Sequence, residues 1–413
     1  MAKNTGVAAF ALAQAGRLDE AEEASRSVLA ISTYDMDAMR ALATVHLARQ
    51  RLQEAIDLFD TLIRLNPKDA YAHFGRGTAL LDLGKPNQSL PSLEQAVTLR
   101  RDIYQYHAVR GLALLQAGDY PKGFSECRWA IHRQLPRPCK FPFWQGSSLY
   151  GKRLMLDDDE GIGDAIQYIR YAAFAKAQGA EIIVGCREQT ESLLQSAPGV
   201  DKVVTRPSDI QDCDFQCPMT HLPYYFRTAV DTIPWYGPYL AASPDQQKRW
   251  EMISRAPGRR IGLVWAGNPK HKNDHRRSCS AALLAKLLDV PNTSFVNLQI
   301  GKRDGDELPG LENVIDPTRK IVDFGDTAGI LTHIDLLISV DTSTLHLAGA
   351  MGRPAWLLLP YHTDWRWAVS PDRSPWYPSV RLFRQKAPDD WDTVISGVRA
   401  ALLQTVSQRR MPE

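Results

Sequence analysis

At 413 residues the chain exceeds the usual reach of one hydrophobic core, so two or three domains are expected. Its apolar share of 44%, charged share of 23% and formal charge of +2, from 49 basic and 47 acidic residues, belong to an ordinary globular protein and leave no nucleic-acid or membrane footprint. Six scattered cysteines, with only Cys213 and Cys217 close and at a spacing that suits neither a zinc ribbon nor a redox pair, point to reduced thiols in a cytoplasmic protein. No apolar stretch approaches a membrane span, and Asp19, Glu20, Glu22 and Glu23 argue against a signal peptide at the front.

In chain order the first pattern is a repeat. Gly16, Gly84 and Gly118 recur at multiples of 34 residues, with Gln50 standing at the intervening place. Small residues recur in phase on the first helix of each unit (Ala9, Ala43, Gly77, Gly111), and Leu12, His46, Leu80 and Leu114 follow one turn later, facing the partner helix. Second helices begin near Leu18, Leu52, Pro86 and Tyr120, and carry Ala21, Ala55, Ser89 and Gly123 where two backbones approach. The second unit closes on Phe59, Leu62, Ile63 and Leu65, with Pro67 stopping the helix. On these residues, positions 1–135 resemble tetratricopeptide proteins. The resemblance implies four helical hairpins stacked into an α-superhelix whose groove binds a protein or peptide; the alternative is an array that only props up the rest of the chain. Irregularity is expected at Gln50, which replaces the turn glycine, and at Pro91, early in a second helix.

Residues 136–150 are rich in Pro, Gly and Ser with interleaved aromatics and read as a linker that packs. From residue 151 the grammar changes to strand (153–157), glycine turn (160–164), helix (165–178), Gly179 as a cap, and strand (181–185), which is a βαβ unit, followed by a short strand at 202–204. After a spacer ending in Pro257 and Gly258 the same grammar restarts with a strand at 261–265, then one at 294–299. Its clearest piece is a buried strand (336–340), a helix from Asp341 capped at Gly352, and a second strand at 355–360. Two Rossmann-like lobes are therefore expected, at 151–257 and 258–388, with a C-terminal helix and tail at 389–413.

Five segments carry a further likeness: DEGIGDAIQYIRYA (159–172), GLVWAGNPKHKNDHRRS (262–278), DFGDTAGIL (323–331), DLLISVDTSTLHLAGAMGRPAWLLLP (335–360), and DWRW with SPWYP (364–378). In this order they resemble the heptosyltransferase-related bacterial glycosyltransferases of GT-B architecture that occur fused to tetratricopeptide repeats. The resemblance implies an inverting transfer of a sugar from a nucleotide-diphosphate sugar to an acceptor hydroxyl. The acceptor, a protein or glycan, would be docked by the repeats. No cofactor is implied beyond that donor substrate, and no metal.

The residues themselves support roles for these segments. The turn Asp341, Thr342, Ser343, Thr344, with His346 in the first helical turn, offers amides and hydroxyls to a diphosphate, or is a helix cap. Asp164 in the glycine turn of the first lobe is the base by resemblance, or again a cap. Asn268, His271, Lys272, Arg276, Arg277 and Ser278 form a cationic loop at the carboxyl end of a strand, suited to leaving phosphates. His271 and His275 have helical spacing but no third metal ligand nearby. Gln299 and Lys302 follow a strand end where a nucleoside would rest. Asp326 and Thr327 close the same site or cap a helix. Asp157, Asp158 and Asp159 resemble the DxD metal motif of a different transferase fold, or read as a solvated strand end, with Asp159 and Glu160 toward the acceptor. Trp365, Trp367 and Trp376 stack on a sugar or base, or pack the C-terminal helix. The runner-up function is an inactive scaffold whose lobes still bind a nucleotide or partner; a nucleotide-sugar epimerase ranks third.

Overall fold

The computed structural model describes residues 5–134, 140–206, 210, 212–271, 273–301, 307–308, 310 and 314–407. The chain forms two compact units, Met1–Pro136 and Arg137–Glu413.

The first unit is four helical hairpins: α1 (Gly6–Gln14) with α2 (Leu18–Ile31), α3 (Met36–Ala48) with α4 (Leu52–Leu65), α5 (Ala70–Asp82) with α6 (Pro86–Leu99), and α7 (Tyr104–Gln116) with α8 (Tyr120–Gln134). Close approach explains the small residues. A Cβ on Gly77 would lie 2.5 Å from Leu93 Cγ, one on Gly111 2.7 Å from Cys127 Sγ, and one on Gly123 2.6 Å from Leu115 Cγ. Ala21, Ala55 and Ser89 are fully buried at the equivalent places. The hairpin turns are left-handed at Gly16, Gly84 and Gly118, and Gln50 takes the same conformation at φ 60°, so the missing glycine leaves the turn's form unchanged. Pro91 does not break α6 either; the helix runs through it to Leu99.

The second unit holds two parallel sheets. In the first lobe, β1 (Arg153–Asp157), β2 (Glu181–Gly185), β3 (Lys202–Val204) and β4 (Phe215–Pro218) lie in the order β3-β2-β1-β4. Register is set by pairs such as Leu154 with Ile182 and Leu156 with Cys217. In the second, β5 (Arg259–Val264), β6 (Thr293–Asn297), β7 (Leu336–Val340), β8 (Ala355–Leu359) and β9 (Val380–Arg384) lie in the order β6-β5-β7-β8-β9. Every residue of β7 and β8 is buried, as parallel strands covered on both faces require. Two Rossmann-like lobes are thus present, the arrangement that the GT-B resemblance implies.

Strands β4 and β9 lie outside the elements expected from the pattern. β4 is only four residues ending in a proline, and β9 is an edge strand whose arginines interrupt its apolar run. The segment 140–150 packs on the first sheet: Phe143 bridges Gln216 of β4, and Trp144 is buried with its N–H donating to Gln216 O at 2.9 Å.

The expected helix 165–178 is also revised. It starts earlier, as α9 (Ile162–Tyr168), tightens to a 3-10 turn at Ile169–Tyr171, and resumes as α10 (Ala172–Ala177) before Gly179 at φ 89°. Arg170 sits in the tightened turn and is fully buried. Its guanidinium donates to Gln167 O, Pro234 O, Trp376 O and Tyr239 Oη and lies against the rings of Tyr239, Trp376 and Tyr377. A cation so placed is satisfied by carbonyls and ring faces, and it joins the first lobe to the 374–378 segment of the second.

Four of the remaining described helices matter to the frame. α11 (Pro244–Arg249) precedes the second lobe in the chain and packs on its helix α12 (Phe324–His333); Gln247 O and His333 Nε2 lie 2.7 Å apart. α13 (Ser343–Ala350) follows β7, and α14 (Trp391–Ser407) closes the second lobe's core, where Trp391, Val394, Ile395 and Val398 meet Ile261, Leu263 and Ile338.

Candidate functional site

The site lies where α9 packs against α13, bringing the glycine turn of one lobe to the N-terminus of the other lobe's helix. Gly163 makes this possible. A Cβ there would stand 3.0 Å from the His346 ring. Both turns follow the carboxyl ends of parallel strands, and β7 lies beside β5 where the sheet order reverses, which is the place an open α/β sheet binds ligands.

On the first lobe Asp164 is the third residue of α9. Its Oδ2 accepts from Gly161 N at 3.1 Å, a capping bond that pins the carboxylate at the mouth of the turn. Its Oδ1 pairs with Arg366, from the 3-10 turn Trp365–Trp367 of the second lobe. The Asp164 side chain keeps 26% exposure, so the carboxylate remains accessible.

The acidic run before the turn is a solvated strand end only in part: Glu160 is exposed, Asp157 and Asp159 are half-buried, and Asp158 is buried. Asp158 is buried on Arg187 (3.0 Å), and its carboxyl is pushed up to about 6 by burial, against the pull of Arg187. Asp159 accepts from Thr220 N and Oγ1, and burial lifts it to about 7. Glu160 is raised as well, by burial and by the nearby Asp164 charge. Asp159 is thus drawn against the turn after β4 and Asp158 against Arg187.

On the second lobe Thr342 caps α13, its Oγ1 accepting from Leu345 N at 3.4 Å and lying 3.0 Å from Ser339 Oγ. The first amides of such a helix have no partner within it. Asp341 and His346 face one another, Oδ1 to Nε2 at 3.6 Å, and His346 Nδ1 is 2.9 Å from Tyr377 Oη. Burial works to raise Asp341, but the His346 ring, with Arg277 further off, holds its carboxyl below the usual carboxylate range. Ser343 and Thr344 occupy the first turn beside them, Thr344 buried.

The cationic loop divides. Arg277 packs over Gly267, where a Cβ would stand 2.5 Å from its Nη2, and Ser278 Oγ accepts from Gly267 N and donates to Asp274 Oδ1, both at 3.0 Å. The Arg277 charge also acts on the Asp341 carboxyl. Asn268 and His271 are exposed on the turn before them, engaged locally: Asn268 Oδ1 accepts from Lys270 N and His271 Nδ1 from Asn273 N. Lys272 and Lys302 lie outside the described residues. Gln299 Oε1 accepts from Trp265 N (3.0 Å) and Ala266 N (2.8 Å), so its carboxamide holds the loop after β5 in shape. Asp326 serves as an anchor: buried, it accepts from Trp250 Nε1 and Val322 N, while Asp323 caps α12. Trp365, Trp367 and Trp376 are all buried, and packing rather than an open stacking face is their role; Trp367 lies beside His346, ring centroids 5.5 Å apart.

Sequence reasoning missed Arg366, Tyr377 and Asp274. All three sit inside the quoted segments, but only the tryptophans of DWRW and SPWYP drew attention, because an arginine or tyrosine in a loop carries no period.

This geometry is that of a tetratricopeptide array joined in one chain to a two-lobed α/β unit with an interlobe cleft. Tetratricopeptide repeat models match residues 12–74 and 74–131. Over 432 aligned positions the chain is 25% identical to Protein FlbA of Caulobacter vibrioides, covering 95% of this chain and 71% of that protein. Among solved structures it is similar to a glycosyl transferase family 9 protein from Veillonella parvula (12% identity, 63% of this chain, 99% of that one, TM-score 0.49). It is also similar to a Thermobaculum terrenum O-GlcNAc transferase (15% identity, 97% and 92% covered, TM-score 0.37). Among the described residues no helix is long and apolar enough to cross a membrane.

Proposed function

We propose that the α/β unit is an inverting glycosyltransferase that uses a nucleotide-diphosphate sugar, without a metal, and that the repeats dock the acceptor, a protein or glycan. The observation that carries the reading is the meeting of an accessible carboxylate, Asp164, with a helix N-terminus and a cation, α13 and Arg277, across one cleft. The acceptor O–H gives its proton to Asp164 as the new O–C bond forms at the anomeric carbon. The bond from that carbon to the phosphate oxygen breaks with its electron pair, and the diphosphate leaves into the amides of Ser343 and Thr344 and the guanidinium of Arg277. A diphosphate needs no proton to leave, so one base suffices.

The test is a panel of nucleotide-diphosphate sugars scored by thermal shift and by transfer or hydrolysis with the full chain. Asp164→Ala should abolish at least about a hundredfold of transfer while leaving the donor's thermal shift intact. Unchanged transfer in that variant, or a panel in which no donor shifts the melting temperature, would refute the mechanism.

A further inference from the structure

We propose that Arg366 is a positioning residue through which the second lobe aims the base of the first. This rests on the assignment of Asp164 above, and concerns a residue to which the motifs attach no role.

The argument is geometric. Asp164, Gln167 and Tyr168 lie at i, i+3 and i+4 of α9, hence on one face. The Arg366 fork meets all three: Nε donates to Gln167 Oε1 at 2.7 Å, and Nη2 donates to Asp164 Oδ1 and lies 3.5 Å from Tyr168 Oη. Its own lobe fixes it from behind, with Nη1 donating to Asp364 Oδ1 at 2.9 Å and the guanidinium 4.4 Å from the Trp365 ring. Gln167 is fully buried, and its carboxamide meets this arginine through its oxygen, its Nε2 having no hydrogen-bond partner among the described residues. Burial works against the charge of Arg366, but Asp364, Tyr168 and Asp164 hold it ionised.

Two consequences follow for Asp164. Arg366 takes one oxygen and Gly161 N the other, leaving a further lone pair on each to accept an acceptor hydroxyl. The carboxylate also lies near Asp158 and Glu160 of its own turn, on which Arg187 acts as well, and near Tyr168 on α9. Arg366 is the cation that bonds to it from the other lobe, on a segment held by Asp364 and Trp365. A lysine would carry the charge but not the fork.

The experiment compares Arg366→Gln and Arg366→Lys with the unaltered full chain, folding checked by circular dichroism. Removing the fork should lower kcat by about ten- to a hundredfold while the donor's KM and thermal shift stay unchanged. Arg366→Lys, which keeps the charge and loses the fork, should recover only a minor part of kcat. An unchanged kcat, full recovery with lysine, or donor affinity falling in step with kcat overturns the proposal, the last making Arg366 a donor ligand. Transfer that survives Asp164→Ala refutes the base assignment instead, so the two failures are separable.

Discussion

Replacing Asp159 by Asn should stabilise the α/β unit, and increasingly so as the pH rises. Asp159 bonds to Thr220 N and Oγ1, and an Asn can keep both contacts with its oxygen and amide reoriented. Burial lifts the carboxyl from 3.8 to about 7. A raised folded value means that the folded chain holds a proton the unfolded chain has lost between these two pH values. The protonated residue is therefore compatible with the fold below about pH 4, and stability drains away as the pH climbs through 7. The full difference corresponds to at most ~4 kcal/mol above pH 8, reduced by whatever water reaches the group. Urea unfolding of both proteins at intervals from pH 4 to 8 reads this directly. The two should agree near pH 4 and diverge by several kcal/mol at pH 8, with the variant the more stable. Parallel curves, or a variant that is the weaker at pH 8, would show that Asp159 is not ionised at a cost in the native state.

Three other outcomes are expected. Phe59 is fully buried, edge-on to Tyr71, with Gly75 pressed against its ring, so Phe59→Ala should cost about 3–5 kcal/mol in thermal or urea unfolding of the repeats. Gln50 holds φ 60°, a conformation that costs a side chain about 1–2 kcal/mol, whereas a glycine gives back about 0.4–1 kcal/mol through the unfolded chain. Gln50→Gly should therefore raise stability by about 0.5 kcal/mol, and a loss would mean that the turn is unstrained. Arg277→Met should weaken binding of a nucleoside diphosphate by about ten- to a hundredfold in calorimetry, the worth of a charge-assisted contact. Unchanged affinity would remove Arg277 from the donor site.

Much of this protein follows from short-range pattern. The 34-residue period carries the hairpins because each is built from contacts between neighbouring helices, and small residues must recur wherever backbones approach. Strands β1, β2, β7 and β8 are readable because a parallel strand covered on both faces is a continuous apolar run. The two turns of the site are legible for a related reason: a glycine turn or an Asp–Thr–Ser–Thr run at a strand end marks a helix start, whatever its use. What no local pattern carries is the partnership made across the cleft. Asp164 and Arg366 are 202 residues apart in the chain, and nothing in either turn names the other. The same holds for Arg170, whose surroundings are carbonyls and rings from distant segments, and for Asp158 and Asp159, which look solvated until Arg187 and Thr220 close on them. Burial and charge pairing are properties of the space around a side chain, and the tertiary structure alone decides how that space is filled.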